Sequence, residues 1–273
     1  WMYSSGASAF TIDQSLRFND DDTAYLSWTP ASAGTRTTWT FSAWVKRANF
    51  GEQDIFGAGT ASAGFLKFRS DDVLQFGDYT GGYVFDLRSN AKYRDPSAWY
   101  HIVAVFDTTN GTATLRQRLY VNGSEVSYGT QTNTETVNDI NNNVSQWLGH
   151  LSSSGGVQYL DGYLAEVHFI DGTALTPTSF GETGDYGEWK PIEVSGLTYG
   201  TNGFYLSFAG GGIMSATGGD SIGTDGDYKY NTFLSDATFT PSADGYVEYL
   251  VIAGGGGGGG DGAGVGGGGA GAG

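Results

Sequence analysis

Two tyrosines flank a glycine pair in the stretch "GDYTGGYVFD", where Tyr79 and Tyr83 can expose their rings. Aromatic rings offer an apolar face to sugar C–H groups, and amide or carboxylate side chains bind sugar hydroxyls. Asn142 in "DINNNVSQW", and Glu166 and His168 in "GYLAEVHFID", supply such polar groups. We therefore predict a carbohydrate-binding site drawn from these five residues. The alternative for aromatic side chains is a place in the core, which we expect for Trp39, Trp44, Trp99 and Trp147.

Catalytic patterns are missing from the sequence. Hydrolysis of a glycosidic bond needs a pair of carboxylates that straddle it, and the spacing E-x-D-x-x-E does not occur. No serine lies in a nucleophile-elbow pattern. His101 lies in an apolar strand, so we expect a core histidine there and not a general base. The glycines after Ile252 lack the Lys and Ser or Thr of a phosphate-binding loop, and we predict a protein that is not an enzyme.

The charge balance excludes two classes of partner. The net charge is −16, whereas nucleic acids and anionic membranes are bound by clustered Lys and Arg. No apolar run is long enough to insert across a membrane, and the absence of Cys rules out disulfides. The chain starts at Trp1 and stops within a glycine run, so we expect a segment of a longer polypeptide.

The elements that position these residues are short strands. Aromatic residues make up 15% of the chain and Gly numbers 46, which favours an all-β, turn-rich fold over a helical one. Apolar runs recur at a spacing of roughly ten residues, which is typical of a sandwich or barrel. The dipeptide Asn122-Gly123 predicts a hairpin with a type I′ turn. The predicted strands are 15–18, 24–28, 38–47, 54–58, 65–68, 73–77, 83–88, 98–107, 116–126, 145–150, 162–171 and 203–209.

Two of these strands have informative faces. Residues 98–107 are apolar at both parities, which predicts a strand buried on both sides. In residues 162–171, strict alternation would place Tyr163, Ala165, Val167 and Phe169 on one face. Glu166 and His168 would then share the other face with Leu164 and Ile170, where we expect them to line a groove.

Changes in composition divide the chain into five segments. We predict a lead-in or linker at 1–14, a jelly-roll domain at 15–210 and a glycine-rich connection at 211–227. A small β unit should follow at 228–253, with strands at 228–234, 237–240 and 246–252. A polyglycine segment occupies 254–273.

The order of motifs over residues 15–209 resembles the laminin-G-like, concanavalin-A-like jelly rolls, especially those of tail-fibre and structural proteins of marine bacteriophages. The motifs are "SLRFNDDDTAYLSWTP", "TWTFSAWVKR", "DPSAWYHIVAVFDTT", "RLYVNG" and "DGYLAEVHFIDGTALTPTSFGE". This resemblance implies an antiparallel jelly-roll sandwich. It also implies a structural calcium held by Asp20 and Asp22 together with Asp161 or Asp171. Calcium prefers six to eight oxygen ligands, and the alternative for these acids is a solvated turn.

The C-terminal stretch "FTPSADGYVEYLVIAGGGGGGGDGAG" is similar to the glycine-rich modules of phage tail-fibre tips and adhesins. In that family, strands lead into polyglycine II helices that pack side by side. Such helices have no internal hydrogen bonds, so each must bond to neighbours, and a homotrimer supplies them. The alternative is a flexible linker.

Together the two resemblances imply a tail-fibre segment on the virion. It would bind a host-surface glycan, itself and other fibre or baseplate proteins. A bacterial cell-surface adhesin or filament protein is the alternative, and an accessory region of a carbohydrate-active enzyme is a third possibility.

Overall fold

Short extended segments, punctuated by Gly, Asn and Asp, fold into antiparallel sheets. The computed structural model describes residues 10–59, 63–153, 156–208, 216–225 and 228–241. The first eleven strands are β1 Leu16–Phe18, β2 Leu26–Trp28, β3 Thr38–Arg47, β4 Gln53–Ala58, β5 Ala63–Phe68, β6 Val73–Tyr79, β7 Tyr83–Lys92, β8 Tyr100–Asp107, β9 Gln117–Val121, β10 Ser124–Glu125 and β11 Tyr128–Thr132. The others are β12 Gln146–Leu148, β13 His150–Ser153, β14 Gly156–Tyr159, β15 Gly162–Asp171, β16 Gly181–Thr183, β17 Trp189–Pro191, β18 Phe204–Leu206, β19 Ala216–Thr217, β20 Ser221–Asp225, β21 Tyr228–Thr232 and β22 Thr240–Pro241. Two 3₁₀ helices span Ala113–Leu115 and Pro177–Ser179.

Two seven-stranded sheets form the sandwich. The first sheet has the order β1-β15-β3-β8-β9-β10, and β18 also pairs with β15. The second sheet has the order β11-β7-β6-β5-β4-β12-β2. Aromatic side chains from both sheets fill the space between them, among them Trp39, Phe41, Phe56, Phe76 and Phe106. The predicted antiparallel jelly-roll sandwich is therefore confirmed.

The Asn122-Gly123 turn joins β9 to β10 as predicted. Asn122 has a φ of 48° and Gly123 a φ of 80°, which are the positive values that a type I′ turn needs at both central residues. The Asn122 side chain also accepts a hydrogen bond from the backbone N–H of His101 at 2.8 Å. This turn therefore fixes β9 and β10 against the neighbouring β8.

Strand β8 is buried on both faces, which confirms the expectation from its double apolar pattern. On its outer side, Val103 and Val105 belong to a second apolar cluster with Ile170 and Phe180. The segment 174–199 contributes Leu175, Val194 and Leu197 to the edge of that cluster. The outer face of the first sheet is therefore covered by the chain that follows β15.

The four tryptophans occupy different environments. Trp39 lies between the sheets in the main core. Trp147 is buried beside Phe65 and Leu151 on the outer side of the second sheet. Trp44 is buried against His101, whereas Trp99 is only half-buried. Trp39, Trp44 and Trp147 are therefore buried core residues as we expected, and of the four only Trp99 is not.

The chain divides into two compact units between Ala209 and Gly210. In the second unit β19 pairs with β22, and β20 pairs with β21. The expected connection 211–227 thus contains strands β19 and β20, because the chain forms a hairpin where its glycines suggested only a linker. The predicted strand 246–252 and the polyglycine segment lie outside the described residues.

Candidate functional site

The tip of the β6–β7 hairpin exposes an aromatic pair. Tyr79 and Tyr83 face each other across the hairpin, with their ring centroids 5.2 Å apart and their planes at 75°. Each tyrosine is 44% exposed. A Cβ added at Gly81 or Gly82, in the turn between them, would meet nothing within 4 Å. The hairpin tip therefore presents two partly exposed aromatic rings, packed edge to face, from which a sugar platform can be built.

A paired arginine supports this platform. The Arg88 guanidinium lies 5.1 Å from the centroid of the Tyr83 ring, a cation–π geometry. Its Nη2 and Nε lie 2.6 and 3.1 Å from the two oxygens of Asp86. Asp86 also accepts a hydrogen bond from Gln75 Nε2 at 2.7 Å. These bonds fix the guanidinium, and with it the orientation of Tyr83.

Asn142 belongs to a loop at the same end of the second sheet. The side chain of Asn138, in this loop, packs against Gly64, whose strand partner is Asp78, the residue before Tyr79. The Asn142 amide donates to the Asp139 carboxylate at 3.2 Å and is half-buried. The structure thus brings the loop of Asn142 to the neighbourhood of the tyrosines, with the amide bonded inside the loop.

A β-bulge in β15 sets the positions of Glu166 and His168. Ala165 pairs with Trp44 and His168 with Ser42, so two residues of β15 oppose one residue of β3. Glu166 adopts a φ of +46°, a left-handed conformation that is uncommon for a residue other than glycine.

The bulge inverts the side-chain alternation. Leu164, Val167 and Phe169 all belong to the main core, although strict alternation placed Leu164 on the opposite face. The predicted assignment of faces was therefore wrong on the N-terminal side of the bulge, since the extra residue shifts the pleat by one.

Glu166 and His168 lie beside β18, the last strand of the first unit, which pairs with β15 in the same sheet. The Tyr205 hydroxyl donates to Glu166 Oε2 at 2.7 Å, and the Tyr205 ring stacks on His168 with centroids 4.4 Å apart. His168 Nδ1 lies 2.8 Å from the Tyr199 hydroxyl, and this histidine is only 1% exposed. Burial raises the pKa of Glu166 and lowers the pKa of His168 to about 4. In place of the expected open groove, the two side chains form a buried contact that holds β18 against β15.

His101 makes a hydrogen-bond pattern that is opposite to that of a catalytic base. The indole N–H of Trp189 can only donate, and it donates to His101 Nδ1 at 3.0 Å. The proton of the neutral ring is therefore on Nε2, which donates to the Ser42 hydroxyl at 2.9 Å. Burial, together with His168, lowers the pKa of His101 to about 3. The expectation of a core histidine is confirmed, and the imidazole is turned so that it cannot take a proton from Ser42.

The acids of the expected calcium site have other partners. Asp161 forms an ion pair with Arg17, and Asp22 accepts from the Asn19 amide at 2.5 Å. Asp171 accepts from the backbone of Thr35 and from the side chain of Asn141, each at 2.7 Å. Over the parts of the chain that the structure describes, no three His, Cys, Asp or Glu side chains form a group that could hold a metal ion. The residues as arranged do not fit the expected site, and calcium binding stays a prediction.

Three important residues were missed from the sequence. Tyr205 stands in the predicted strand 203–209 and Trp189 outside any predicted strand, and the role of both depends on how the chain after β15 returns to the first sheet. Asp54 is 0% exposed, and neither of its carboxylate oxygens has a hydrogen-bond partner in the described structure. The only signal for Asp54 is a charged residue inside an otherwise apolar strand.

Comparisons with solved structures return several that are similar to part of this chain. A heptameric SAP-like pentraxin from Limulus polyphemus is 19% identical, and the match covers 62% of this chain and 76% of that chain with a TM-score of 0.42. Domains LG4-5 of the mouse laminin alpha1 chain are 12% identical, with 80% of this chain and 53% of that chain covered and a TM-score of 0.45. The CBM40 of the Ruminococcus gnavus IT-sialidase, bound to α2,3-sialyllactose, is 13% identical, with coverages of 61% and 94% and a TM-score of 0.42.

The comparison with curated proteins found no match to the chain. Among the described residues, no helix has the length and apolar character needed to cross a membrane. A family model matches residues 20–179, more than half of the chain. The chain therefore belongs to the concanavalin A-like lectin/glucanases superfamily.

Proposed function

We propose that this chain is a non-catalytic attachment segment that binds carbohydrate on a host surface, as part of a bacteriophage tail fibre. The observation that carries the binding proposal is the exposed Tyr79–Tyr83 pair, held by Arg88 and Asp86 at a hairpin tip. The lectin-like jelly-roll fold of the family supports it, because a binding module of this type needs no further machinery than such a face.

The absence of catalysis is part of the proposal. The buried Ser42–His101 pair has its proton on the nitrogen that faces the serine, and Glu166 is bonded to Tyr205. Neither arrangement supplies a free base beside a nucleophile. Release of reducing sugar from any polysaccharide that the purified chain binds would overturn this part.

The binding site is tested by removing its rings. We expect Tyr79→Ala and Tyr83→Ala each to weaken retention on immobilised host-surface polysaccharide by about tenfold, or ~1.4 kcal/mol, since each removes an aromatic face. The matched control is Tyr186→Ala, because Tyr186 is 96% exposed and lies outside the platform. If all three variants bind like the parent chain, the platform is not the site.

The tail-fibre assignment is supported by the family resemblance of the jelly roll and by the glycine-rich C-terminal segment. A bacterial adhesin or filament protein is the competing assignment. Antibodies raised against the chain should label the tails of phage particles in electron micrographs. Labelling of bacterial surfaces in cultures free of phage would favour the adhesin.

A further inference from the structure

We infer that the Tyr79–Tyr83 platform selects neutral sugars, such as chains of hexoses or N-acetylhexosamines, and rejects sialylated, uronic or sulfated ones. This inference rests on the proposed carbohydrate binding and adds the class of ligand. It is argued from the ion pairs that the cationic side chains near the platform form with carboxylates.

The cation nearest to the tyrosine rings is already neutralised. Arg88 lies over Tyr83, and its guanidinium makes two bonds to Asp86, at 2.6 and 3.1 Å. A fork-like pair of this kind occupies the Nε/Nη2 edge of the guanidinium, which could otherwise bind a carboxylate or sulfate. An anionic sugar at the platform would therefore meet an arginine whose charge is compensated by Asp86 and whose Nε/Nη2 edge is occupied.

The other cations of the second sheet are occupied or distant. Lys67 lies 2.5 Å from Glu52, and Arg69 lies 3.3 Å from Asp71. Lys92 stands at the opposite end of β7 from Tyr83.

The surrounding field also opposes an anion. The whole chain carries a net charge of −16, and the buried Asp78 carboxylate lies next to Tyr79 in β6, with one oxygen unpaired. An anionic sugar would lose water without gaining a counter-charge, which costs free energy and discriminates against it. Neutral hydroxyls meet no such penalty, and Thr132, exposed opposite Asp86, offers them a partner.

The test uses pairs of glycans that differ mainly in charge. Binding of the whole chain is measured by biolayer interferometry to dextran and dextran sulfate, agarose and κ-carrageenan, and N-acetyllactosamine and its α2,3-sialylated form. We expect the neutral member of any pair that binds to be favoured by at least about tenfold. That binding should fall in Tyr79→Ala and stay unchanged in Tyr186→Ala.

A second variant tests the cause of the selectivity. Asp86→Asn has nearly the same shape and keeps an oxygen for Gln75 and Arg88, but it leaves the arginine charge uncompensated. The ratio of neutral to anionic binding should then fall by about five- to tenfold. Circular dichroism and the Tm confirm that the variant is folded.

The outcomes separate this inference from the proposed function. Anionic glycans that bind as well as neutral ones, in a Tyr79-dependent way, would overturn the selectivity and leave carbohydrate binding at the platform intact. An unchanged ratio in folded Asp86→Asn would overturn the role of the Arg88–Asp86 pair. Binding that ignores Tyr79, or no binding to any glycan, would overturn the proposed site and this inference with it.

Discussion

At the scale of single residues, Asp54 carries a buried carboxylate without a hydrogen-bond partner in the described structure. Burial raises its pKa from 3.8 to about 7, although Lys67 acts in the opposite direction. The folded protein therefore holds a proton that the unfolded chain releases between these pH values. The resulting stabilisation is complete below pH 3.8 and is lost as the pH rises to about 7.

Replacing Asp54 by Asn should remove this dependence on pH. Relative to Asp54→Asn, the parent chain should lose unfolding free energy by about 1.4 kcal/mol per pH unit across that window. Urea unfolding at pH 5, 6, 7 and 8 measures the difference. Asp185→Asn, at an exposed position, should run parallel to the parent chain. A constant difference between parent and Asp54→Asn would show that Asp54 titrates normally.

The backbone conformation of Glu166 leads to a second prediction at the scale of single residues. Its φ of +46° costs an Ala side chain about 1–2 kcal/mol, which exceeds the entropy that Gly loses on folding. Glu166→Gly should therefore be more stable than Glu166→Ala by about 0.5–1 kcal/mol. Both variants lose the bond to Tyr205, so that loss cancels in the comparison.

The matched pair for Glu166 is Glu182→Gly and Glu182→Ala. Glu182 lies in β16 and is not among the residues with positive φ, so Ala should be the more stable variant there. Denaturant unfolding of all four proteins gives both differences. The same order at both positions would contradict the left-handed conformation at Glu166.

At the scale of elements, the positions of the strands could be predicted from the sequence more reliably than the face of the sheet on which each side chain lies. The double apolar pattern of β8 predicts a strand buried on both faces, and Asn122-Gly123 predicts a type I′ turn. The structure confirms both. The bulge in β15 could not be predicted, since glutamate rarely adopts positive φ and nothing local marks the position. The burial of His168 depends on Tyr199 and Tyr205, which return from more distant sequence. The partial exposure of the two tyrosines could be predicted from the glycines between them, whereas the position of Arg88 over Tyr83 could not.

The β9–β10 hairpin and the β16–β17 hairpin are coupled through one glycine. A Cβ at Gly123 would overlap the ring of Trp189, and that ring is held by its hydrogen bond to His101. Gly123→Ala should therefore lose about 1–3 kcal/mol more unfolding free energy than a variant that suffers only from backbone strain. Gly81→Ala is that variant, because Gly81 has a φ of 81° against 80° at Gly123 and an added Cβ would meet nothing within 4 Å.

Chemical denaturation of Gly123→Ala and Gly81→Ala measures the coupling between these hairpins. Equal losses would show that the Trp189 ring moves aside without cost. In that case the contact between the turn and β17 would not contribute to the stability of the fold.

At the scale of the molecule, the two sheets differ in what their outer faces can do. The outer face of the first sheet is covered by apolar side chains from residues 174–199, and β18 pairs with β15 within that sheet. The second sheet carries a smaller cover at Phe65, Trp147 and Leu151 and exposes its aromatic pair at the β6–β7 tip. Recognition is therefore expected on the second sheet, while the first sheet anchors the chain that leaves toward the second unit.

The glycine-rich C-terminal segment sets the expected oligomeric state. Extended polyglycine has no internal hydrogen bonds, and each bond between neighbouring segments contributes only about 0.5–1.5 kcal/mol. If residues 254–273 take the polyglycine II form that the resemblance implies, several such segments must bond together, and we predict that the whole chain is a homotrimer. A chain that ends at Phe208 retains the first compact unit and should be a monomer. Size-exclusion chromatography with light scattering measures both masses.

A whole chain with the mass of a monomer would contradict the predicted trimer. If the chain truncated at Phe208 is still a trimer, the contacts that hold the trimer lie in the jelly roll and not in the glycine-rich segment. Replacing 254–260 by a Ser-rich run of equal length is the sharper control, since it keeps a flexible segment but introduces side chains at the positions of close approach. If the glycines themselves hold the trimer, this replacement should give monomers, because Ser side chains keep neighbouring segments apart. The attachment proposal would then explain the glycine content, since three tyrosine platforms on one trimer would bind a surface far more tightly than one platform would.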